Sequence, residues 1–408
     1  MGRSRTNEPA RKGGKTSDWT TDRLSRPAVG LEAEFTLLLD GVPAGPEEVF
    51  GDPRGFIHRR LMHRIGTSYH LPNSAAVYFD TGVIEVATPA IEIDRGCVAR
   101  AARSLWEAIQ FVRDHLDAWE LDTGRRARLQ GFSAHYNVSA GDGAGPTASA
   151  ARLARLARAL TYVLPAPVML LATNRRSTGV GVRPRHRRIE VTVDFTPDPA
   201  LMIATGSFIT GVVREMMTWP SVAPRRLARA LPVMRRFAPM RHTSRRGWLA
   251  RFDCYAENPF ACDVDAPIWA TSGGPLGLRD VARRVFRRFL RPIARVADPL
   301  TLRLIALTLD RGGPTPLSLA ERPPAYDDVG RLAVWTAGAS IGRLARSRYE
   351  RVLMNAVAGR PLRLSGRMCT PIRVRGWSRV LFRRDADGVQ FTVPLDALVE
   401  RLGEWERG

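Results

Sequence analysis

The chain has 408 residues, enough for two or three domains, and 44% of them are hydrophobic, enough for a sizeable core. The formal net charge of +22 would suit a protein that binds nucleic acid or an anionic surface. However, every basic residue except Lys12 and Lys15 is an arginine, and alanine, glycine and proline are abundant. This composition is typical of a GC-rich bacterial genome, so we expect a solvated arginine surface and no nucleic-acid partner.

The cysteines are scattered without the CxxC spacing of a zinc site or a disulfide framework, which suits a reducing cytoplasm. They are Cys97, Cys254, Cys262 and Cys369. The longest apolar run, 160–172, contains Pro165 and Pro167 and is too short to span a membrane. We therefore expect a cytoplasmic protein without a membrane segment. The pattern does not predict an oligomeric state.

Residues 1–26 are basic and polar and predict a disordered leader. The next stretch, AVGLEAEFTLLL (28–39), predicts a core strand interrupted by Glu32 and Glu34. Residues two apart on a strand share a face, so the two carboxylates should project together. Burying them is costly unless a cation compensates, and Mg²⁺ prefers oxygen ligands. The alternative is an edge strand with a solvated face.

Three later segments predict strands that carry polar side chains on one face. These segments are AVYFDTGVIEVATP (76–89), ARLQGFSAHYNVSA (127–140) and RIEVTVDF (188–195). The first is a hairpin whose second strand holds Glu85 among apolar residues. The second places His135 and Asn137 on one face and Phe132 on the opposite, apolar face. The third presents Glu190.

The segment NRRSTGVGVRPRHRR (174–188) leads into the last of these strands and is rich in glycine and arginine. Guanidinium groups bind phosphates in bidentate fashion, so this loop suits a triphosphate. In an arginine-rich protein it could equally be a solvated loop. Three histidines of the loop-rich stretch 43–75 are expected at the surface. They are His58, His63 and His70.

Apolar residues three and four apart predict helices. The predicted helices cover 96–119, 147–164, 199–219, 224–237, 278–297, 300–310 and 330–358. Asp198 is placed as the N-cap of the third. Residues 361–408 alternate in the manner of short strands, with a hairpin turn at Asp387 and Gly388 and a helix-like tail.

In combination these segments resemble a known family. GLEAEF resembles the GxExE strand of the glutamate–cysteine ligase type carboxylate–amine ligases and the related amidoligases, which belong to the glutamine synthetase superfamily. FDTGVIEVATP resembles that family's turn and ExxTP strand, and GFSAHYNVSA is similar to its HxHV strand. Residues 164–204 are similar in order and spacing to its helix, Asn-bearing loop and ExR strand. The resemblance covers residues 28–215.

The resemblance implies an α+β fold with a glutamine-synthetase-like antiparallel sheet that forms a concave active site and is packed with helices. It implies a ligase domain over 27–360, with catalytic strands in 28–220 and a helical part in 221–360. A small β-rich C-terminal appendage over 361–408 matches nothing in the family.

The resemblance also implies roles for individual residues. The metal ligands would be Glu32, Glu34, Glu85 and Glu190. The catalytic phosphate contacts would be Arg176, Arg185 and Arg188, and the nucleotide contacts would be His135, Asn137 and Asn174. Asn137 stands where a second histidine is usual, and Thr192 stands where the family has an arginine expected to stabilise the transferring phosphoryl group. A neighbouring loop arginine could substitute for the latter, or catalysis could be impaired.

We therefore expect a carboxylate–amine ligase that uses ATP and Mg²⁺ (or Mn²⁺). It would move the γ-phosphoryl group onto the carboxylate of an amino acid or small peptide, and an amine would attack the resulting acyl phosphate. Its partners would be ATP and small-molecule carboxylate and amine substrates. Three alternatives stay open. They are a non-catalytic relative that acts as a binding module, a phosphotransferase acting on a guanidino group, and a nucleic-acid-binding protein.

Overall fold

The computed structural model describes residues 24–141, 149–177, 179–223, 227, 231–242, 247–271, 273–319 and 345–407. Nearly all of the predicted leader lies outside the described residues, as do parts of the helices predicted for 224–237 and 330–358. Within the described part, residues 231–237 are not helical, whereas 348–357 are. The predicted fold class is confirmed, because a large antiparallel sheet packs with helices and a small sheet follows at the C-terminus.

The large sheet has twelve strands. They are β1 (Ala28–Leu39), β2 (Val42–Ala44), β3 (Met62–Ile65), β4 (Ser68–His70), β5 (Ala76–Asp80), β6 (Val83–Ala87), β7 (Ile91–Glu92), β8 (Ala127–Ser139), β9 (Gly179–Arg185), β10 (Arg188–Asp194), β11 (Met240–Arg241) and β12 (Trp248–Arg251). They pair in the order β11-β12-β9-β10-β8-β1-β6-β5-β4-β3, with β2 and β7 also on β1. Strands β11 and β12 come from the section predicted to be helical.

The structure describes ten helices, of which those up to residue 308 share the core of the large sheet and the last three pack with the small C-terminal sheet. They are α1 (Pro46–Phe50), α2 (Cys97–Thr123), α3 (Ala150–Leu160), α4 (Pro165–Ala172), α5 (Pro199–Thr218), α6 (Leu278–Val296), α7 (Pro299–Thr308), α8 (Arg348–Val357), α9 (Leu395–Glu400) and α10 (Leu402–Arg407). Asp198 caps α5 as predicted, since its carboxylate accepts from the N–H groups of Ala200 and Leu201. Helix α5 is long and apolar enough to cross a membrane, but 78% of that stretch is buried inside the protein.

The central strands bury alternate residues against α2 and α5. In β1, Leu31, Ala33 and Phe35 are at most 1% exposed. Because side chains alternate along a strand, the residues between them lie on the opposite face, where β1 carries Glu32 and Glu34. We call the helix-covered face the core face and the opposite one the polar face.

Two smaller sheets complete the described fold. Strands β13 (Trp269–Thr271) and β14 (Gly274–Leu276) form a hairpin, and β15 (Leu362–Leu364), β16 (Arg367–Arg375), β17 (Arg379–Arg384) and β18 (Gln390–Pro394) form a separate antiparallel sheet. The latter packs with α8, α9 and α10 around a second core that includes Tyr349, Phe382 and Trp405. We call residues 348–407 the C-terminal unit. Its predicted start at residue 361 stays a prediction.

The C-terminal unit packs against β3 of the large sheet. The ring of Trp377 lies 4.4 Å below the guanidinium of Arg64 and 5.3 Å from the ring of His70. His70 is completely buried there, so its expected surface position is wrong. The surface expectation fails because the C-terminal unit covers this part of the chain. His58 is exposed, as expected.

Candidate active site

The polar face brings several predicted residues together in three cross-strand rows. Directly paired residues of antiparallel strands point to the same face and lie close together. The first row is Arg183, Glu190, Asn137 and Gly30; the second is Gly181, Thr192, His135, Glu32 and Ala87; the third is Asp194, Ser133, Glu34, Glu85 and Tyr78. The rows unite β9, β10, β8, β1, β6 and β5 in one polar surface.

His135 lies at the centre of this surface. Its Nδ1 is 3.2 Å from Glu32 Oε2, and its Nε2 is 3.5 Å from Glu34 Oε1. The hydroxyl of Ser133 donates to Glu34 Oε2 at 2.6 Å. Burial opposes a charge on the imidazole, but the hydrogen bond to Glu32 and the charges of Glu190 and Glu34 outweigh it and raise the pKa of His135 to about 9. The imidazole is therefore protonated at neutral pH.

The pKa values of Glu32 and Glu85 shift in opposite directions although the two carboxyl groups lie close together. Burial raises the pKa of Glu32, but the hydrogen bond and charge of His135 outweigh it, so the net pKa is lowered. Burial and the charge of Glu32 raise the pKa of Glu85 well above its ordinary value. The hydroxyl of Tyr78 donates to Glu85 Oε1 at 2.5 Å. The charge of Glu32 thus opposes ionisation of Glu85 within the same site.

A divalent cation fits this arrangement. One ligand atom each from Glu32, Glu85 and His135 can be chosen so that all lie within 4.8 Å of one another. Carboxylate oxygens suit Mg²⁺ or Mn²⁺, and an imidazole nitrogen is a common ligand for transition metals. A bound cation would relieve the repulsion between Glu32 and Glu85 and would displace the proton on His135. Glu34 lies beside this group rather than within it.

Glu190 is held by two arginines. Arg185 binds it in bidentate fashion, with Nε at 2.8 Å from Oε2 and Nη2 at 3.0 Å from Oε1. Arg183 Nε lies 2.5 Å from Oε1. Burial would raise the pKa of Glu190, but His135 and the two arginines outweigh it and lower the pKa to about 2. With both oxygens engaged, its predicted role as a metal ligand stays a prediction.

Arg183 also reaches the second row. Its Nη2 lies 3.2 Å from the hydroxyl of Thr192 and 3.4 Å from Nε2 of His135. The family that the sequence resembles has an arginine where this chain has Thr192. Here a guanidinium from the neighbouring strand β9 occupies the space next to Thr192 instead.

A pocket of about 100 Å³ opens beside the first row. Leu24 and Ala90 contribute apolar walls, and Trp377 of the C-terminal unit lines the same pocket. Part of its polar lining comes from residues of the site, namely Glu32, Asn137 and Arg188. Arg188 Nε donates to Asn137 Oδ1 at 2.8 Å. The buried Nδ2 of Asn137 has no hydrogen-bond partner among the described residues. This amide is a donor ready for a ligand in the pocket.

Two predicted residues lie elsewhere. Asn174 and Arg176 precede β9, and the Asn174 side chain accepts from the backbone N–H of Arg176 at 2.9 Å in an Asx turn. Glu190 pairs with Arg183, which lies four residues, or roughly 13 Å, from Gly179 along β9. Asn174 and Arg176 lie outside the three rows, and their predicted roles stay predictions.

Four residues of the site were not selected from the sequence. They are Tyr78, Ser133, Arg183 and Asp194. Ser133 and Asp194 follow from alternation alone, because each lies an even number of residues from a selected one on its own strand. Arg183 alternates with Arg185 in the same way. Predicting Tyr78 as a site residue requires the register of the β5–β6 hairpin. The turn at 80–82 sets this register so that Tyr78 lies opposite Glu85.

No protein-family model matches the sequence, and a search of curated proteins finds no match. The fold, in contrast, has solved counterparts. A chain in the crystal structure of the complex between the prokaryotic ubiquitin-like protein Pup and its ligase PafA matches with a TM-score of 0.53 and 12% sequence identity. The match covers 94% of each chain. At this identity it shows the fold alone: the chain has a fold similar to that found in the complex of Pup with its ligase.

Proposed function

We propose that the protein is an ATP- and Mg²⁺-dependent carboxylate–amine ligase. The observation that carries the proposal is the convergence of Glu32, Glu85 and His135 on the polar face, with arginines beside them. Carboxylates for divalent cations together with arginines for phosphates are the equipment of phosphoryl transfer. The fold shared with the complex of Pup and its ligase PafA supports the same activity.

The nucleotide would occupy the pocket beside the first row. Apolar walls and the indole of Trp377 suit a planar base, because aromatic rings bury large apolar area and stack. Arg188 and the unpartnered amide of Asn137 lie in the same pocket and would contact phosphate oxygens. Glu32, which also lines the pocket, would connect the phosphates with the cation site.

The reaction has two steps. A carboxylate oxygen of the substrate bonds to the γ-phosphorus while the bond from that phosphorus to the β,γ-bridging oxygen breaks, and ADP leaves with the electron pair. The amine nitrogen then attacks the acyl carbon, phosphate leaves with the electrons of the C–O bond, and the nitrogen releases a proton to solvent.

The residues of the chain would act mainly by positioning and by charge. Glu32, Glu85 and His135, with Glu34 adjacent, would hold the cation, which supplies positive charge to the phosphate oxygens when bound. Arg183 and Arg185 carry two positive charges against the one negative charge of Glu190. The remaining positive charge would stabilise the transferring phosphoryl group.

The proposal is tested with hydroxylamine as a general amine. Purified full-length protein is incubated with Mg-ATP, hydroxylamine and a panel of carboxylates comprising amino acids and glutamate-containing dipeptides. We expect equal amounts of ADP and acyl hydroxamate for at least one carboxylate. Glu32→Gln should lower hydroxamate formation by at least about 100-fold, because it removes a charged ligand. Glu48→Gln, at an exposed glutamate of α1, is the matched control.

Chelation of divalent cations should abolish the reaction of the unchanged protein. If the protein binds Mg-ATP but forms neither ADP nor hydroxamate with any carboxylate, the proposal fails. ADP formed together with a phosphorylated guanidino compound, and no hydroxamate, would favour the phosphotransferase alternative.

A further inference from the structure

Phe132 is turned out of the core by a β-bulge in β8. Glu34 pairs with Ser133 and Phe35 pairs with Gly131, so Phe132 is an extra residue without a partner on β1. Strict alternation predicts Phe132 on the core face with Ala134 and Tyr136. Those two residues are at most 2% exposed, whereas Phe132 is 53% exposed. The predicted orientation of Phe132 is therefore wrong, because the bulge interrupts the alternation.

The exposed ring lies on the polar face at the edge of the candidate site. Helices cover the core face of the central strands, so a side chain of β8 that is more than half exposed belongs to the opposite face. The adjacent residue, Ser133, donates to Glu34 at 2.6 Å and pairs with Asp194 of β10. Phe132 is thus the chain neighbour of Ser133, whose hydroxyl binds the Glu34 carboxylate of the third row.

Phe132 and the proposed nucleotide pocket lie on opposite sides of His135. The pocket is lined by Ser139 and Asn137 of β8 and reaches Glu32, which pairs with His135. In the other direction along the strand, Phe132 precedes His135 by three residues, or roughly 10 Å. The order along β8 is therefore pocket, cation site, exposed aromatic ring.

This order has a chemical consequence that rests on the proposed function. In phosphoryl transfer the attacking and leaving oxygens lie roughly in line on opposite sides of the phosphorus. If ADP leaves toward the pocket, the attacking carboxylate approaches from the side of Glu34 and Phe132. The body of the carboxylate substrate then lies over the Phe132 ring.

We propose that Phe132 determines specificity by contacting an apolar group of the carboxylate substrate. The substrate class is a carboxylic acid with an aliphatic or aromatic group within about 10 Å of the reacting carboxylate, such as a peptide glutamate next to an apolar residue. A bare polar amino acid would leave the ring uncovered. Elsewhere on a surface a single exposed aromatic side chain needs no explanation. Phe252, 43% exposed and outside the three rows, therefore serves as a control position.

The test uses the hydroxylamine assay with N-acetylated dipeptide amides whose one carboxylate is a glutamate side chain. The second residue is leucine, phenylalanine or serine, placed before or after the glutamate. For the unchanged protein, we compare peptides with the second residue before and after the glutamate. In whichever of these two orders gives the lower KM, the leucine and phenylalanine peptides should have a KM at least about tenfold lower than the serine peptides. Phe132→Ser should bring these KM values within about threefold of each other, with kcat little changed.

Two further variants control the measurement. Phe132→Leu should keep the preference for apolar peptides, and Phe252→Ser should leave it intact. Calorimetric titration with Mg-ATP should give the same Kd for all variants, which shows that each is folded. If the unchanged protein does not prefer apolar peptides, or if Phe132→Ser keeps the preference, the inference is overturned while the ligase proposal stands. If no carboxylate yields hydroxamate, the ligase proposal fails and the inference fails with it.

Discussion

At the scale of single residues, Glu190 shows how neighbours decide what a carboxylate does. It is 1% exposed, and its two arginine partners, Arg183 and Arg185, are 12% and 19% exposed. Taking charges out of water is costly, and this group of three is tolerable because opposite charges and hydrogen bonds compensate. Glu190 therefore fixes the two guanidinium groups beside His135 whether or not it also contacts a cation.

We expect Glu190→Gln to lower the free energy of unfolding by about 3 kcal/mol at pH 7, because it leaves two largely buried guanidinium groups without a counter-charge. The folded-state pKa of about 2 lies below the ordinary value of 4.5, so the stabilisation is present above pH 4.5 and is lost as the pH falls toward 2. Urea unfolding across this range should show the two proteins converging in acid. Equal stability at pH 7 would contradict the role of Glu190 as a counter-charge.

The sequence could predict the face on which each acid lies but not its partner. Alternation places Glu32 and Glu34 together, and the turn after Asp80 fixes Glu85 opposite Tyr78. The pairing of Glu190 depends on which of many arginines reach it. In a chain whose basic residues are nearly all arginine, composition and spacing do not distinguish them.

At the scale of elements, the local sequence pattern predicts where a helix or strand lies, and which of the two it is, better than it predicts irregularities such as β-bulges. Strand β1 has the predicted bounds, and α5 begins at the predicted cap. The bulge at Phe132 was missed because one extra residue changes no polar–apolar pattern. The predicted helix over 147–164 corresponds to α3, which ends at Leu160, and a separate helix, α4, begins at Pro165, where the missing N–H of proline costs no intrahelical hydrogen bond.

The packing of α5 on α6 gives a prediction at this scale. A Cβ atom on Gly211 of α5 would lie 2.7 Å from the Cα of Ile293 in α6, a backbone atom that moves only with its helix. Alanine favours a helix over glycine by about 1 kcal/mol, but overpacking costs about 1–3 kcal/mol. We expect Gly211→Ala to lower the Tm. Gly403→Ala in α10, which meets only the mobile end of Arg407, should leave the Tm unchanged or raise it. An unchanged Tm for Gly211→Ala would show that the helices separate without cost.

At the scale of the whole molecule, the C-terminal unit is fixed to the large sheet by buried charges. Arg103 of α2 binds Glu350 of α8 through two contacts of 3.1 Å, with 5% and 0% of the side chains exposed. The same unit supplies Trp377 to the pocket beside Glu32. The sequence did not predict this attachment, because it joins residues far apart in the chain and no local pattern encodes such contacts. The section predicted as an appendage thus forms part of the candidate site.

His70 makes the stability of this attachment depend on pH. Its Nδ1 lies 3.2 Å from the carbonyl oxygen of Ser74, and its ring meets the edge of Trp377. Burial, together with the positive charges of Arg64 and His63, lowers the pKa of His70 from 6.5 to about 3, although hydrogen bonds at Ser74 and Ala75 oppose the shift. Below pH 6.5 His70 therefore takes up a proton in the unfolded chain, whereas the buried His70 of the folded chain stays neutral until about pH 3. The folded state loses stability from pH 6.5 toward pH 3 by about 1.4 kcal/mol per pH unit.

Urea unfolding, monitored by tryptophan fluorescence, should show this pH-dependent loss of stability when the unchanged protein is compared with His70→Gln. Between pH 7 and pH 5 the unchanged protein should lose about 2 kcal/mol more than the variant, because glutamine takes up no proton in this range. His58→Gln, at an exposed histidine, controls for the loss of an imidazole elsewhere in the chain. If the free energy of unfolding falls equally with pH in the unchanged protein and in His70→Gln, then His70 accepts a proton without leaving its site. Trp377 and Arg64 would then have to accommodate a second positive charge at the boundary between the C-terminal unit and the sheet.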